Sequence, residues 1–239
     1  MEQPEQTSNH PADPSRARPT PRLLLFDVNE TLSDMAPMAD RFSQVGAPAP
    51  MAKVWFASLL RDGFALTVNG VNAEFASVAR EQLRQNLPAT ELTCSLDEAV
   101  EHVMAGFSEL GCHPDVVEGI HALADLDLRL VTLSNGSASV ARRLLTDAGI
   151  ASTFEDFVSV EQAGIWKPDR RAYTYALRQC NVDAADAMLV AVHPWDTDGA
   201  RRAGLSAAWV DRIGSSYPDY FLPADLNVRS LLDLATRLS

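Results

Sequence analysis

Residues 23–26 are Leu23, Leu24, Leu25 and Phe26, and the run stops at Asp27. A continuous apolar run of this length suits a strand buried on both faces, as in a parallel sheet. The pattern recurs at 128–133, which leads into Ser134, Asn135 and Gly136, and at 157–160. It recurs again at 187–192, which leads into His193 and Pro194, and at 207–210. Helical spacing fills the intervals at 115–125, 137–148, 169–180, 197–203 and 229–238. Strands alternating with helices predict an α/β fold with a doubly wound, Rossmann-like parallel sheet.

Residues 36–113 break this rhythm. They carry helical periodicity, as at 51–61 and 74–85, and no convincing strand. The stretch is too long for one crossover between parallel strands, so it predicts an inserted helical cap domain. The α/β core is then split into 22–35 and 114–239. Residues 1–21 hold Pro4, Pro11, Pro14, Pro19 and Pro21 among polar residues and predict a disordered leader.

Composition narrows the function. The chain has 239 residues, of which 46% are hydrophobic, enough to bury a substantial core. Its formal charge of −12 argues against nucleic-acid or anionic-membrane partners, which it would repel at long range. A small anionic substrate is still allowed where cations are placed locally. Cys94, Cys112 and Cys180 are far apart and odd in number, which supports neither a disulfide framework nor a zinc site. No apolar run approaches the roughly 18 residues of a membrane span. The first 21 residues lack the apolar stretch of a signal peptide, so the expected location is cytoplasmic.

In an open parallel sheet, ligands bind beyond the carboxyl ends of the strands. The polar residues there are therefore the candidates. Asp27 at a strand end reads either as a nucleophile held ionised by a cation or as a turn acid. Thr31 is placed to hydrogen-bond it or to cap the next segment. Ser134, Asn135 and the following helix N-terminus read as an anion site or as a plain turn and cap. Lys167 beside a carboxylate would lower that carboxylate's pKa; alone, it reads as a solvated lysine. Asp196 reads as a helix cap or as the acid that orients water or Lys167. His193 reads as a base or as pocket wall, and Tyr173 as core or pocket.

Together these segments resemble, in order, the four motifs of the haloacid dehalogenase superfamily. Phe26 to Leu32 resembles the nucleophile motif and Leu133 to Ser137 the second. Trp166 to Asp169 resembles the third, and His193 to Asp196 with Gly199 and Ala200 the fourth. Ser134-Asn135-Gly136, Trp195-Asp196 and the run Trp209 to Arg212 are most similar to the L-2-haloacid dehalogenase branch. The resemblance implies that Asp27 attacks the halogen-bearing carbon and forms an ester. Water then attacks the Asp27 carbonyl and a 2-hydroxy acid leaves. Thr31, Ser134 and Asn135 would hold the carboxylates of enzyme and substrate. Lys167 and Asp196 would orient nucleophile and water. Val28, Asn29, Tyr173, His193 and Trp195 would line the substrate site. No cofactor and no metal are implied, and homodimers are common in that branch.

Departures from the pattern keep other readings in view. The superfamily's phosphatases carry a second Asp two residues after the nucleophile, where this chain has Asn29. Their fourth motif has an Mg²⁺-holding Asp that falls here at Val192. The dehalogenase branch has an Arg directly after a cap Trp, facing the halide and the substrate; here Trp55 is followed by Phe56. Arg61 or Arg41 is the expected replacement. His193 stands where the branch has asparagine, and either takes over water activation or marks another substrate. A metal-independent dehalogenase is the leading reading. A phosphatase or another hydrolase of the same fold, and a binding protein that has lost turnover, are the alternatives.

Overall fold

The computed structural model describes residues 20–239. Most of the predicted leader, residues 1–19, lies outside the described residues. Pro21 does not extend it: Pro21 is buried, and the Arg22 N–H donates to the Asp186 carbonyl at 2.7 Å.

Strand β1, Leu23–Phe26, is buried at every position. It lies between β2, Arg129–Ser134, and β4, Ala187–Ala191, and both pairings are parallel. With β3, Asp156–Ser159, β5, Ser206–Val210, and β6, Leu226–Val228, the sheet order is β3-β2-β1-β4-β5-β6. Side chains alternate between the faces of a strand. Leu24 and Phe26 therefore share one hydrophobic cluster with helices α5, Val116–Ala124, α6, Ala138–Asp147, and α10, Leu231–Leu238. Leu23 and Leu25 share another with helices α8, Arg170–Cys180, and α9, Pro194–Ala203. Helices on both faces explain why the central strands read as unbroken apolar runs.

Two predicted boundaries move, each for a local reason. Strand β3 ends at Ser159 rather than 160, because Ser159 caps the short helix α7, Val160–Ala163, in a capping box with Gln162. Helix α9 begins at Pro194 rather than 197; proline at the first position needs no N–H partner and has its φ preset for a helix. Asp196 therefore sits inside the first turn of a helix. Strand β6 was not foreseen, since three edge residues with one exposed position give no apolar run.

Between β1 and α5 lie helices α1, Met38–Gln44, α2, Met51–Val68, α3, Phe75–Asn86, and α4, Leu96–Ser108. Their apolar faces form a separate cluster around Trp55, Phe56, Phe75 and Phe107. That cluster also takes in Ile165 and Trp166 from the loop that carries Lys167. Trp166 stacks on Phe75 at 5.6 Å and donates its indole N–H to the Ala73 carbonyl at 2.9 Å. A Cβ at Gly63 would stand 2.2 Å from the Trp166 ring, so glycine is what lets α2 come this close. An antiparallel bridge between Ser33 and Cys112 joins the two ends of the insertion.

Candidate active site

The register of the central strands decides what meets what. Phe26 is level with Thr132 on β2 and Val190 on β4. Asp27, Ser134 and the segment 192–196 thus emerge side by side at the carboxyl edge of the sheet. The Asp27 N–H is fixed by the Val190 carbonyl at 3.1 Å.

Asp27, Lys167 and Asp196 form one buried network. Lys167 Nζ donates to Asp27 Oδ1 at 2.9 Å and to Asp196 Oδ2 at 2.6 Å. Thr31 Oγ1 donates to Asp27 Oδ2 at 2.7 Å and accepts the Val192 N–H at 3.1 Å. The Tyr173 hydroxyl donates to Asp196 Oδ1 at 2.6 Å. Lys167, Tyr173 and Asp196 are wholly enclosed, and Asp27 is only 3% exposed. Burial disfavours the Lys167 ammonium, but the charges of Asp196 and Asp27 outweigh that and hold its pKa above the ordinary value. Burial pushes the Asp196 carboxyl up despite Lys167, and the Asp27 charge adds to the rise. Burial, then the Asp196 charge, raises the Tyr173 phenol well above its ordinary value. Two carboxylates share one ammonium, so the cluster carries one uncompensated negative charge in a site almost closed to solvent.

Asn135 lies next to this network. Its amide donates to the Lys167 carbonyl at 3.2 Å and accepts the Lys167 N–H at 2.9 Å. It clamps the lysine's backbone through both ends of the amide, and the second N–H of its NH₂ group is left for a further acceptor. Ser134 Oγ accepts the Gly136 N–H at 2.9 Å and faces a cavity of about 330 Å³. Val28, Asn29 and Gly136 line the same cavity. The Ser137 side chain caps α6 at its Val140 N–H.

His193 is half-buried on the other side of the nucleophile loop. Its ring stacks on Trp195 at 5.1 Å and on Phe56 at 6.4 Å. Trp195 also packs edge-on against Phe64 of α2 at 4.9 Å. His193 and Phe56 face a larger cleft of about 700 Å³, together with Glu30, Lys53, Trp209 and Arg212. Glu30 was not singled out in the sequence. Its carboxylate lies 3.6 Å from His193 Nε2, and its φ of 62° is unusual for a residue other than glycine.

The expected cap cations are not at the site. Arg61 is two-thirds exposed and pairs with its neighbour Asp62 at 2.7 Å. Phe56, Gly63 and Phe64 mark the side of α2 that meets the core. At about 100° per residue, position 61 lies roughly 140° from 56 and 160° from 63. Arg61 therefore projects away. Arg41 lays its side chain over Gly106 of α4 and forms an ion pair with Glu109.

The chain is similar to several known proteins. A family model described as haloacid dehalogenase-like hydrolase matches residues 21–204. The chain is 26% identical over 215 residues to (S)-2-haloacid dehalogenase 1 of Pseudomonas sp. (strain CBS-3), covering 89% of this chain and 94% of that one. It is 28% identical over 195 residues to an (S)-2-haloacid dehalogenase of Xanthobacter autotrophicus, covering 80% and 76%. The solved structure of an L-2-haloacid dehalogenase from Xanthobacter autotrophicus superposes with a TM-score of 0.81 at 24% identity, covering 90% of this chain and 97% of that one.

Proposed function

Because the chain belongs to the haloacid dehalogenase-like hydrolases, we propose that it hydrolyses the carbon–halogen bond of a small 2-haloacid. The product is a 2-hydroxy acid. Asp27 is the nucleophile. Oδ1 is held by the Lys167 ammonium and Oδ2 by the Thr31 hydroxyl. Oδ2, on the side of His193, attacks the substrate carbon, and the C–X electron pair leaves with the halide. Oδ1 becomes the ester carbonyl oxygen. Water then adds to Asp27 Cγ, and Lys167 stabilises the charge that develops on Oδ1. One water proton ends on the product hydroxyl, and the other is released when Asp27 ionises again. Asp196 and Tyr173 position Lys167, and Asn135 clamps its backbone. Ser134 with the Gly136 turn receives the substrate carboxylate in the smaller cavity, beside Val28 and Asn29. Trp195 walls the site.

The observation that carries this reading is Asn29 on the cavity wall, two residues after the nucleophile. A departing alkoxide needs a proton from a general acid, and a carboxamide supplies none. Halide is a weak base and leaves without one. A bound Mg²⁺ does not fit the residues present: the Lys167 ammonium already bridges both carboxylates, and Val192 adds no side-chain oxygen. The enzyme is read as metal-independent.

The same reading takes residues 36–113 as a cap over a core of 22–35 and 114–239, expects a cytoplasmic location and leaves room for a homodimer. Among the described residues, no helix is long and apolar enough to cross a membrane. The test is halide release from 2-chloropropionate with and without EDTA, run beside a generic aryl phosphate. Halide release that persists in EDTA is the expected result. Phosphate release that needs Mg²⁺, with no halide release, would replace this reading with a phosphatase.

A further inference from the structure

Three oxygens surround one nitrogen of His193. Nε2 lies 3.2 Å from the Asn29 carbonyl oxygen, 3.6 Å from Glu30 Oε2 and 3.8 Å from Asp27 Oδ2. A carbonyl oxygen accepts and never donates, and ionised carboxylates do the same. The contact with Asn29 therefore requires a proton on Nε2. That nitrogen is a donor to the Asn29 carbonyl, and the reacting Asp27 Oδ2 lies 3.8 Å from it. Nε2 has no free lone pair with which to take a proton from water. The ring stacks on Phe56 and on Trp195, which restricts the donor's direction.

Glu30 is built to face this ring. Its backbone takes the left-handed conformation, at φ 62°. Its N–H donates to Ser33 Oγ at 3.3 Å, and its carbonyl meets His113 Nε2 at 2.9 Å. Glycine adopts that conformation at no steric cost, yet the position carries a carboxylate that faces His193.

The two cavities separate the tasks. Asn29 and Ser134 line the smaller one, where the substrate carboxylate is placed. Glu30, Phe56 and His193 line the larger one, on the other side of the same loop. We propose that His193 is the group that receives the departing halide, with Glu30 as its positioning residue. This rests on the dehalogenase reading given above. As the bond from Asp27 Oδ2 to carbon forms, the carbon–halogen pair departs on the halogen. The halide shares the Nε2–H with the Asn29 carbonyl in a three-centre hydrogen bond, no proton is transferred, and the larger cleft is its way out. Reacting atoms start about 3–3.5 Å apart, which places the halogen roughly 5 Å from Oδ2 in line. A donor 3.8 Å from Oδ2 is within reach of a halogen that leaves toward the larger cleft.

The experiment compares 2-chloropropionate with 2-bromopropionate by halide release, in the full chain, for wild type, His193→Phe and Glu30→Gly. Both substrates give the same ester, so anything His193 does after the halide has left affects them equally. Chloride is the poorer leaving group and the stronger hydrogen-bond acceptor. Loss of the donor should therefore lower kcat/KM more for the chloro acid, raising the bromo-to-chloro ratio by about tenfold in His193→Phe. Glu30→Gly should raise the ratio by about threefold while its Tm stays the same or rises, since the left-handed strain is gone. A purely structural Glu30 would leave the ratio unchanged. Should His193→Phe fail to fold, the Glu30→Gly ratio decides. An unchanged ratio in both variants overturns the proposal. So does an equal loss of kcat on both substrates at constant kcat/KM, which would assign His193 to ester hydrolysis. Absence of halide release by wild type from both acids would overturn the dehalogenase reading itself, and this proposal with it.

Discussion

Lys167→Met keeps most of the length of the side chain and removes its charge. Asp27 and Asp196 would then be buried together with no cation between them. In the native cluster two carboxylates and one ammonium sum to −1; in the variant the sum is −2. Removing one partner of a buried ion pair costs about 3–5 kcal/mol, because the other charge is left uncompensated. Lys167 serves two carboxylates, which argues for the upper end. Protonation of one carboxylate relieves part of the cost, with Asp196 the first to take the proton because burial already raises its pKa. About 3–5 kcal/mol is the expected loss. In a chain of this size each kcal/mol moves Tm by about 2–4 °C, so the drop should be about 6–20 °C near neutral pH. Thermal unfolding followed by circular dichroism reads it. The deficit should shrink at about pH 5, where the orphaned carboxylates bind protons more readily in the folded state than in the unfolded one. A drop of less than about 3 °C, or the same drop at both pH values, would show that the ammonium does not neutralise the cluster as drawn.

Other perturbations probe the same core. Asp27→Asn removes the uncompensated charge, so it should leave Tm unchanged or higher while cutting halide release by at least about a thousandfold; a stability loss above about 2 kcal/mol in calorimetry would contradict the charge count. Gly63→Ala places a Cβ 2.2 Å from the enclosed Trp166 ring, and overpacking of this kind should cost about 1–3 kcal/mol in urea unfolding; an unchanged midpoint would mean that α2 stands farther off. The pKa values of Lys167 and Tyr173 are both raised in the folded state. Their stabilising effect is complete below the unfolded values near 10 and is lost as pH rises through the folded ones. Wild type should therefore lose stability above about pH 10 more steeply than Lys167→Met does, and parallel alkaline limbs would refute this.

The hydrophobic pattern alone established the order of the main elements. Central parallel strands are covered on both sides, so Leu23 to Phe26 and residues 187–191 had to be apolar throughout. The same topology sends polar residues at strand ends to one edge. This made Asp27, Ser134, Lys167 and Asp196 legible as a group before any coordinates. Strand β6 and the true start of α9 were not legible. The first is too short for a period, and the second lies where a proline reads equally as a loop or as a helix start.

Partners distant in sequence were decided only by tertiary packing. Helical spacing shows that 56 and 61 lie on different faces of α2, but not which face meets the sheet. The approach of Gly63 to Trp166 settles that, turning Phe56 toward His193 and Arg61 toward solvent. Asn135 gains a further part as a clamp because the loop bearing Lys167 folds back onto it. Glu30 becomes significant through a positive φ and a neighbour 163 positions away, His193, neither of which a linear pattern encodes. Local sequence sets propensity and period, and so the elements and the edge where chemistry gathers. The angles at which those elements pack determine which side chain stands within hydrogen-bond reach of which, and that resides in the shape of the packed interfaces rather than in any one segment.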